Sequence, residues 1–249
     1  MNNTQPEPAG YRIRKTLNEY VAVLDPARKA DRYPFMITRH APVHDGDDVK
    51  TPLTIMYLDQ WAGLSWSASA ERVNRKLGHA SLYHNTDLLV DATGIGDAAI
   101  EPLYDLGLSP IPIIVTGGNA VRQVMEGFGQ VFSTPDGEKM RGMRIVKELH
   151  VPKADLVAAG QLMIEQRRIE LADGLKWVDE IEKQLLHLNP KTTQAGNTRY
   201  ESDDSKVNDD IAFCLILTCW WCLRRAKQGM IQAGPTKKAV PDWDPLEYM

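Results

Sequence analysis

An α/β architecture, a mixed sheet flanked by helices, is the reading on which three features of this 249-residue chain agree. Apolar runs of strand length recur, with Tyr20–Leu24, Phe35–Thr38, Leu53–Leu58, Leu88–Val90 and Ile111–Val115 bounded by turn residues. From Ser67 onward such runs alternate with stretches whose apolar residues fall at three- and four-residue spacing, the order that makes a partly parallel, covered sheet. The composition, 43% hydrophobic and 25% charged, is that of a water-soluble domain long enough for a sizeable core.

Taken in order, residues 1–17 read as a flexible leader, polar and interrupted by proline. A single domain is expected over 18–230, with an extended tail over 231–249. Tyr20–Asp25 is the first strand and ends in a carboxylate. Pro34–Val43 and Leu53–Leu58 follow as the second and third strands of a meander. Ser67–Leu77 opens like a helix, with Ser67 or Ser69 as its cap. Leu88–Asp91 is a buried strand, and Asp97–Leu106 a helix closed by Gly107. Ile111–Thr116 is another strand, and Val121–Val124 reads as a helix start. Thr134-Pro135-Asp136-Gly137 is a turn. The spacing predicts helices from Pro152 and over Leu175–Leu188, with a short strand at Arg168–Leu171 between them. Lys191–Asp204, polar and aperiodic, is read as a mobile loop. The final helix opens at Asp209-Asp210 and runs to about Lys227, acid first and base last, in agreement with the helix dipole.

Composition also narrows the function. The formal net charge of −4 gives no global basic field of the kind a passive nucleic-acid binder displays. No apolar run is long enough to span a bilayer, and the polar start lacks the regions of a signal peptide, so no membrane partner and a cytoplasmic location are expected. Cys214, Cys219 and Cys222 share one apolar stretch, which suits reduced, buried thiols better than disulfides or zinc. His40, His44, His79, His84, His150 and His187 show no metal-ligand spacing. No Ser-His-Asp or Cys-His arrangement is suggested locally.

What remains is a set of carboxylates. Asp25 ends one apolar strand, Asp91 ends another inside Leu89-Val90-Asp91-Ala92-Thr93-Gly94-Ile95-Gly96-Asp97, and Asp209-Asp210 open an apolar helix. In open α/β sheets chemistry gathers at the carboxyl ends of strands, so these acids can converge although distant in sequence. The plainer alternative for Asp91 alone is a strand end that caps the next helix. Carboxylates brought together cannot all ionise without a cation. An oxygen-only donor set favours Mg²⁺ or Mn²⁺ over zinc, and two such ions would suit phosphodiester cleavage. Arg28, Lys29 and Arg32 beside Asp25, Lys153 at a helix start, and Lys139–Lys147 are candidate contacts to DNA phosphates; a solvated surface is the alternative for each. Trp220-Trp221 is read as core.

The order of these segments resembles the ribonuclease H-like nucleases, and within them the C-terminal nuclease domain of the phage terminase large subunit. The likeness is carried by Tyr20–Asp25 with Asp31 downstream, Leu89–Asp97, Val151-Pro152-Lys153-Ala154-Asp155-Leu156-Val157 and Asn208–Ala212. It spans about residues 18–227. The resemblance implies a ribonuclease H-like fold and a metal-dependent DNA endonuclease acting on concatemeric viral DNA during packaging. Its catalytic and metal-binding residues would be Asp25, Asp91 and the pair Asp209 and Asp210. One of that pair would bind metal and the other cap the helix. Double-stranded DNA, a separate packaging ATPase, a small terminase subunit and a portal are the partners it implies, in the cytoplasm of a host cell. Two departures stand out: Asn208 occupies a place where the family often has His, and no Gly-x-x-x-x-Gly-Lys-Ser/Thr phosphate loop for a packaging ATPase occurs in these residues. A stand-alone nuclease, a split-gene product and an excised domain all accommodate that. A resolvase- or integrase-type nuclease and a non-catalytic docking or DNA-binding domain are the other functions compatible with the pattern.

Overall fold

The computed structural model describes residues 18–26, 32–40, 43–45, 48–94, 97–133, 139–192, 198–202 and 209–227. The leader, the tail, Arg28, Lys29, Asn208 and the turn at 134–137 lie outside them. Within the described residues the strands are β1 (Tyr20–Leu24), β2 (Tyr33–Arg39), β3 (Val43–Asp45), β4 (Asp48–Lys50), β5 (Leu53–Trp61), β6 (Thr86–Asp91), β7 (Pro110–Thr116), β8 (Arg122–Ser133), β9 (Lys139–Pro152), β10 (Ile169–Leu171), β11 (Leu188–Thr192) and β12 (Thr198–Ser202). The helices are α1 (Trp66–Leu77), α2 (Asp97–Asp105), α3 (Lys153–Glu165), α4 (Val178–His187) and α5 (Asp210–Lys227). Eight strands form one mixed sheet in the order β10-β5-β2-β1-β6-β7-β9-β8. The expected meander is present as antiparallel β1, β2 and β5, and β6 then adds to β1 in parallel.

Strand alternation explains how the sheet is covered on both sides. In β1 all five residues are buried, yet Tyr20, Ala22 and Leu24 pack among the residues of α1 and α2. Val21 and Val23 point the other way, into a core shared with α3, α4 and α5. A strand buried on both faces reads as a continuous apolar run, which is how Tyr20–Leu24 and Leu88–Val90 look in the sequence. On the second face α3 and α5 approach closely at Gly160. A Cβ there would lie 2.5 Å from Cγ2 of Ile216 and 3.2 Å from its Cβ. Because Ile216 is β-branched and buried, it has little freedom to turn away. Gly160→Ala is therefore expected to destabilise by about 1–3 kcal/mol through overpacking, against the usual gain of a helical Gly→Ala change. Urea unfolding of the two proteins measures the sign.

The orientation of α5 is set at its far end. Asp87 on β6 accepts from Nδ2 of Asn18 at 2.7 Å and from Nε1 of Trp221 at 2.8 Å, and it pairs with Arg225 at 2.8 Å. This partly buried clamp ties the last turns of α5 to the amino end of β6, so the helix begins at the sheet's opposite, carboxyl end. Near the clamp, burial and the positive charges of Arg168 and Arg225 push the His40 imidazole down to about 4. Its folded pKa thus lies below its ordinary value of 6.5, and the folded state binds fewer protons than the unfolded chain between those pH values. This contribution to stability is fully present above pH 6.5 and is lost as pH falls toward 4, on the order of 2–3 kcal/mol. His40→Gln should flatten that acid limb in urea titrations at pH 7 and pH 5.

Several sequence expectations are corrected. Val121–Val124 does not start a helix: Arg122–Ser133 is β8, the antiparallel partner of β9, and Gly127 and Gly129 weigh against helix. Lys191–Asp204 is not simply a loop, since β11 and β12 pair across it; main-chain pairing needs no apolar periodicity. The cap of α1 is Ser65, whose Oγ accepts from the Ala68 N–H at 3.2 Å, not Ser67 or Ser69. The second strand ends at Arg39, before Val43, which belongs to a small separate hairpin. No helix of the described residues is long and apolar enough to cross a membrane.

Candidate active site

Asp25 and Asp91 meet because of register and parity. Leu24 pairs with Val90 in the parallel β1–β6 ladder, so Asp25 and Asp91 stand side by side one step beyond that pair. Adjacent strands lie about 4.8 Å apart. Alternation gives Asp25 the same face as Val21 and Val23, and gives Asp91 the face of Leu89. That is the face covered by α5. The helix begins over this end of the sheet and brings Asp209 and Asp210 with it.

Local bonds hold the parts. The N–H of Asp25 donates to the Pro34 carbonyl at 3.2 Å, fixing the strand end against β2. Oδ1 of Asp91 accepts from the Thr93 N–H at 2.9 Å, and the Thr93 hydroxyl accepts from the Val115 N–H at 2.9 Å. The Val-Asp-Ala-Thr-Gly turn therefore orients the Asp91 carboxyl while tying β6 to β7. Gly94 follows at φ +72°, the left-handed region in which a glycine avoids strain. At the start of α5, the Asp209 carbonyl accepts from the Phe213 N–H at 2.8 Å. The N–H groups of Ile211 and Ala212 donate to Oε1 of Gln184 on α4.

The electrostatics tie these acids into one cluster. Part of Asp25 still reaches solvent, but the protein atoms packed around its carboxyl push its pKa well above the usual carboxylate range. The charges of Asp91, Asp210 and Asp209 push it in the same direction. Burial also raises Asp91, while its bonds to Thr93 oppose the rise. Cys214, one turn into α5, lies against the cluster: burial and the charges of Asp25, Asp210 and Asp91 hold its thiol protonated. Cys219 and Cys222 are likewise buried and unlinked, as the composition suggested.

The donor set, oxygen-only and carrying more negative charge than a half-buried site tolerates alone, suits a divalent cation. Among the described residues no three Asp, Glu, His or Cys side chains stand close enough to hold one ion. Repulsion between carboxylates reaches farther than the ~2.0–2.6 Å of a coordination bond, so binding requires these side chains to draw together.

The structure brings Asp25, Asp91, Asp209 and Asp210 to one end of the sheet. Lys153 opens α3 at the same end, because β9 runs parallel to β7 and β7 to β6. The basic residues Lys139, Arg141, Arg144 and Lys147 lie on β9, in a ribbon whose pairing with β8 continues well beyond its contact with β7. Two residues near the cluster escaped the sequence reading. Gln184 left a trace, a polar residue on the apolar stripe of Ile181 and Leu185. Thr93 was visible only as part of a turn. Arg32, read from the sequence as a candidate DNA contact, lies over the ring of Trp177 at 5.6 Å, an exposed aromatic at φ +67°.

An eight-stranded mixed sheet covered by helices on both faces is the α/β architecture of the ribonuclease H-like fold. The particular fold is similar to that of a phage terminase nuclease. Crystal structures of the large terminase nuclease from thermophilic phage G20c align with this chain when bound to magnesium, at a TM-score of 0.54 and 18% identity over 80% of this chain and 79% of that one. A second crystal structure of the same nuclease aligns at 0.52 and 17% over the same shares. With bound cobalt it aligns at 0.52 and 16%, over 81% of each chain. No family model and no curated protein matches the sequence.

Proposed function

We propose that this protein is a metal-dependent DNA endonuclease, acting by two-metal phosphodiester hydrolysis in the manner of a terminase large-subunit nuclease. The observation that carries the reading is the convergence of Asp25, Asp91, Asp209 and Asp210 from two strands and a helix on one end of the sheet. A nuclease fold solved with magnesium and with cobalt supports the choice of chemistry. Asp25, Asp91 and one or both of Asp209 and Asp210 would hold Mg²⁺ or Mn²⁺. When bound, such ions supply positive charge against the phosphate and acidity to the attacking water.

The chain's own groups prepare the site. Thr93 keeps the Asp91 carboxyl turned into the cluster, and the Pro34 bond keeps Asp25 at the strand end. The positive end of the α5 dipole faces the acids and offsets part of their repulsion. Lys153, and Arg28 and Lys29 in the segment after Asp25, would take DNA phosphates around this centre. In a packaging setting the substrate is double-stranded concatemeric DNA in the host cytoplasm, and the partners are an ATPase, a small terminase subunit and a portal.

Substrate choice tests the reading. Linear duplex, supercoiled plasmid and four-way junction DNA are digested in Mn²⁺ and in Mg²⁺. Cutting of plasmid and linear duplex at comparable rates is expected. Strong preference for the junction would make the protein a resolvase-type enzyme instead. Absence of cutting together with absence of a Mn²⁺-induced rise in melting temperature would make it a docking domain.

A further inference from the structure

A helix that begins Asn-Asp-Asp normally caps itself, because a side-chain oxygen at its start accepts from the orphan N–H groups of the first turn. In α5 the N–H groups of Ile211 and Ala212 go to a different element. They donate to Oε1 of Gln184 at 2.9 and 3.1 Å, across from α4. Gln184 is 2% exposed. Its Nε2 donates to Oε1 of Glu180 at 3.1 Å, one turn earlier on α4, and that bond settles which end of the amide faces α5. The adjacent Ile181 packs in the same core as Ile211 and Leu215.

The consequence is positional. Ile211 and Ala212 follow directly on Asp209 and Asp210, so whatever holds those N–H groups holds the acid pair. A Ser, Asp or Asn cap would bond the first turn of α5 only to the helix's own leading segment. Gln184 instead anchors it laterally to α4, and it does so with a neutral oxygen where a carboxylate would add to the crowded charge. Resting on the nuclease reading above, we propose that Gln184 is a positioning residue of the active site: it pins the first turn of α5 where Asp209 and Asp210 can close with Asp25 and Asp91 on a divalent cation.

The test titrates Mn²⁺ in plasmid-cleavage assays, and in parallel by the Mn²⁺-induced rise in melting temperature without DNA, for the wild type, Gln184→Leu, Gln184→Glu and Glu180→Ala, at temperatures where each is folded by circular dichroism. Gln184→Leu keeps the size and removes the acceptor. Its half-saturating Mn²⁺ should rise about tenfold while KM for DNA stays within about twofold. Gln184→Glu keeps an acceptor but loses the donor to Glu180 and adds charge, and should leave half-saturation between the wild-type and Gln184→Leu values. Glu180→Ala leaves Gln184 in place but frees its amide to turn, and should raise half-saturation about threefold. Should Gln184→Leu not fold, Glu180→Ala and Gln184→Glu decide. A folded Gln184→Leu with wild-type Mn²⁺ dependence, or an unchanged Glu180→Ala where the leucine variant is unfolded, would reduce Gln184 to a packing role and overturn the proposal alone. A wild type that neither cleaves nor gains melting temperature with Mn²⁺ would overturn it together with the nuclease reading.

Discussion

Asp25→Asn is expected to lose metal-dependent cleavage and, in chelator, to melt higher than the wild type. Both effects come from one carboxyl. Burial first, then the charges of Asp91, Asp210 and Asp209, push its pKa well above the usual value of 3.8. The folded state therefore holds this proton more tightly than the unfolded chain does. The metal-free wild type loses stability as pH rises from the ordinary carboxylate range through the folded pKa. At neutral pH the neutral, similarly sized Asn removes that repulsion, for a gain of about 1 kcal/mol or 2–4 °C in a domain of this size. The same change removes a ligand charge, and cleavage should fall by at least about a thousandfold, the loss of several kcal/mol of charge stabilisation. Melting curves in chelator and cleavage rates in Mn²⁺ read the two halves separately. A variant that is less stable and still active would show that Asp25 is an ordinary packed residue.

The second large effect is stabilisation by the cation itself. An ion that binds only the folded protein stabilises it by about 2.7 kcal/mol at a hundred times its dissociation constant, roughly 5–10 °C here. Mn²⁺ should raise the wild-type melting temperature by that amount. Asp91→Asn should cancel most of the rise. Asp209→Asn and Asp210→Asn, compared in the same experiment, separate a ligand from a neighbour: the ligand's variant loses the shift and the other keeps it. Equal shifts in all four proteins would place the ion elsewhere.

Much of this was legible in the residues, for identifiable reasons. Tyr20–Leu24 and Leu88–Val90 are buried on both faces, so each shows as an unbroken apolar run, and its terminal Asp stands out. The parity that turns Asp25 and Asp91 onto the face of α5 follows from strand alternation once β1 and β6 pair. The head of α5 was legible because two acids precede a long apolar stretch. Less local features were not. The β8–β9 ribbon draws its stability from pairing between distant segments, and nothing within Val121–Val124 separates a strand from a helix start. The β11–β12 hairpin hides in a polar stretch because main-chain bonds, and not an apolar face, define it. Gln184 shows only as a polar break on the α4 stripe, and its role depends on which helix lies opposite.

The central claim is that Asp91 belongs to a cation-dependent hydrolytic site. The most direct measurement is digestion of supercoiled plasmid by the wild type and Asp91→Asn in Mn²⁺, in Mg²⁺ and in chelator. Cutting by the wild type in metal, none in chelator, and none by Asp91→Asn under any condition is the predicted result. Cutting that survives Asp91→Asn, or that persists in chelator, would contradict it.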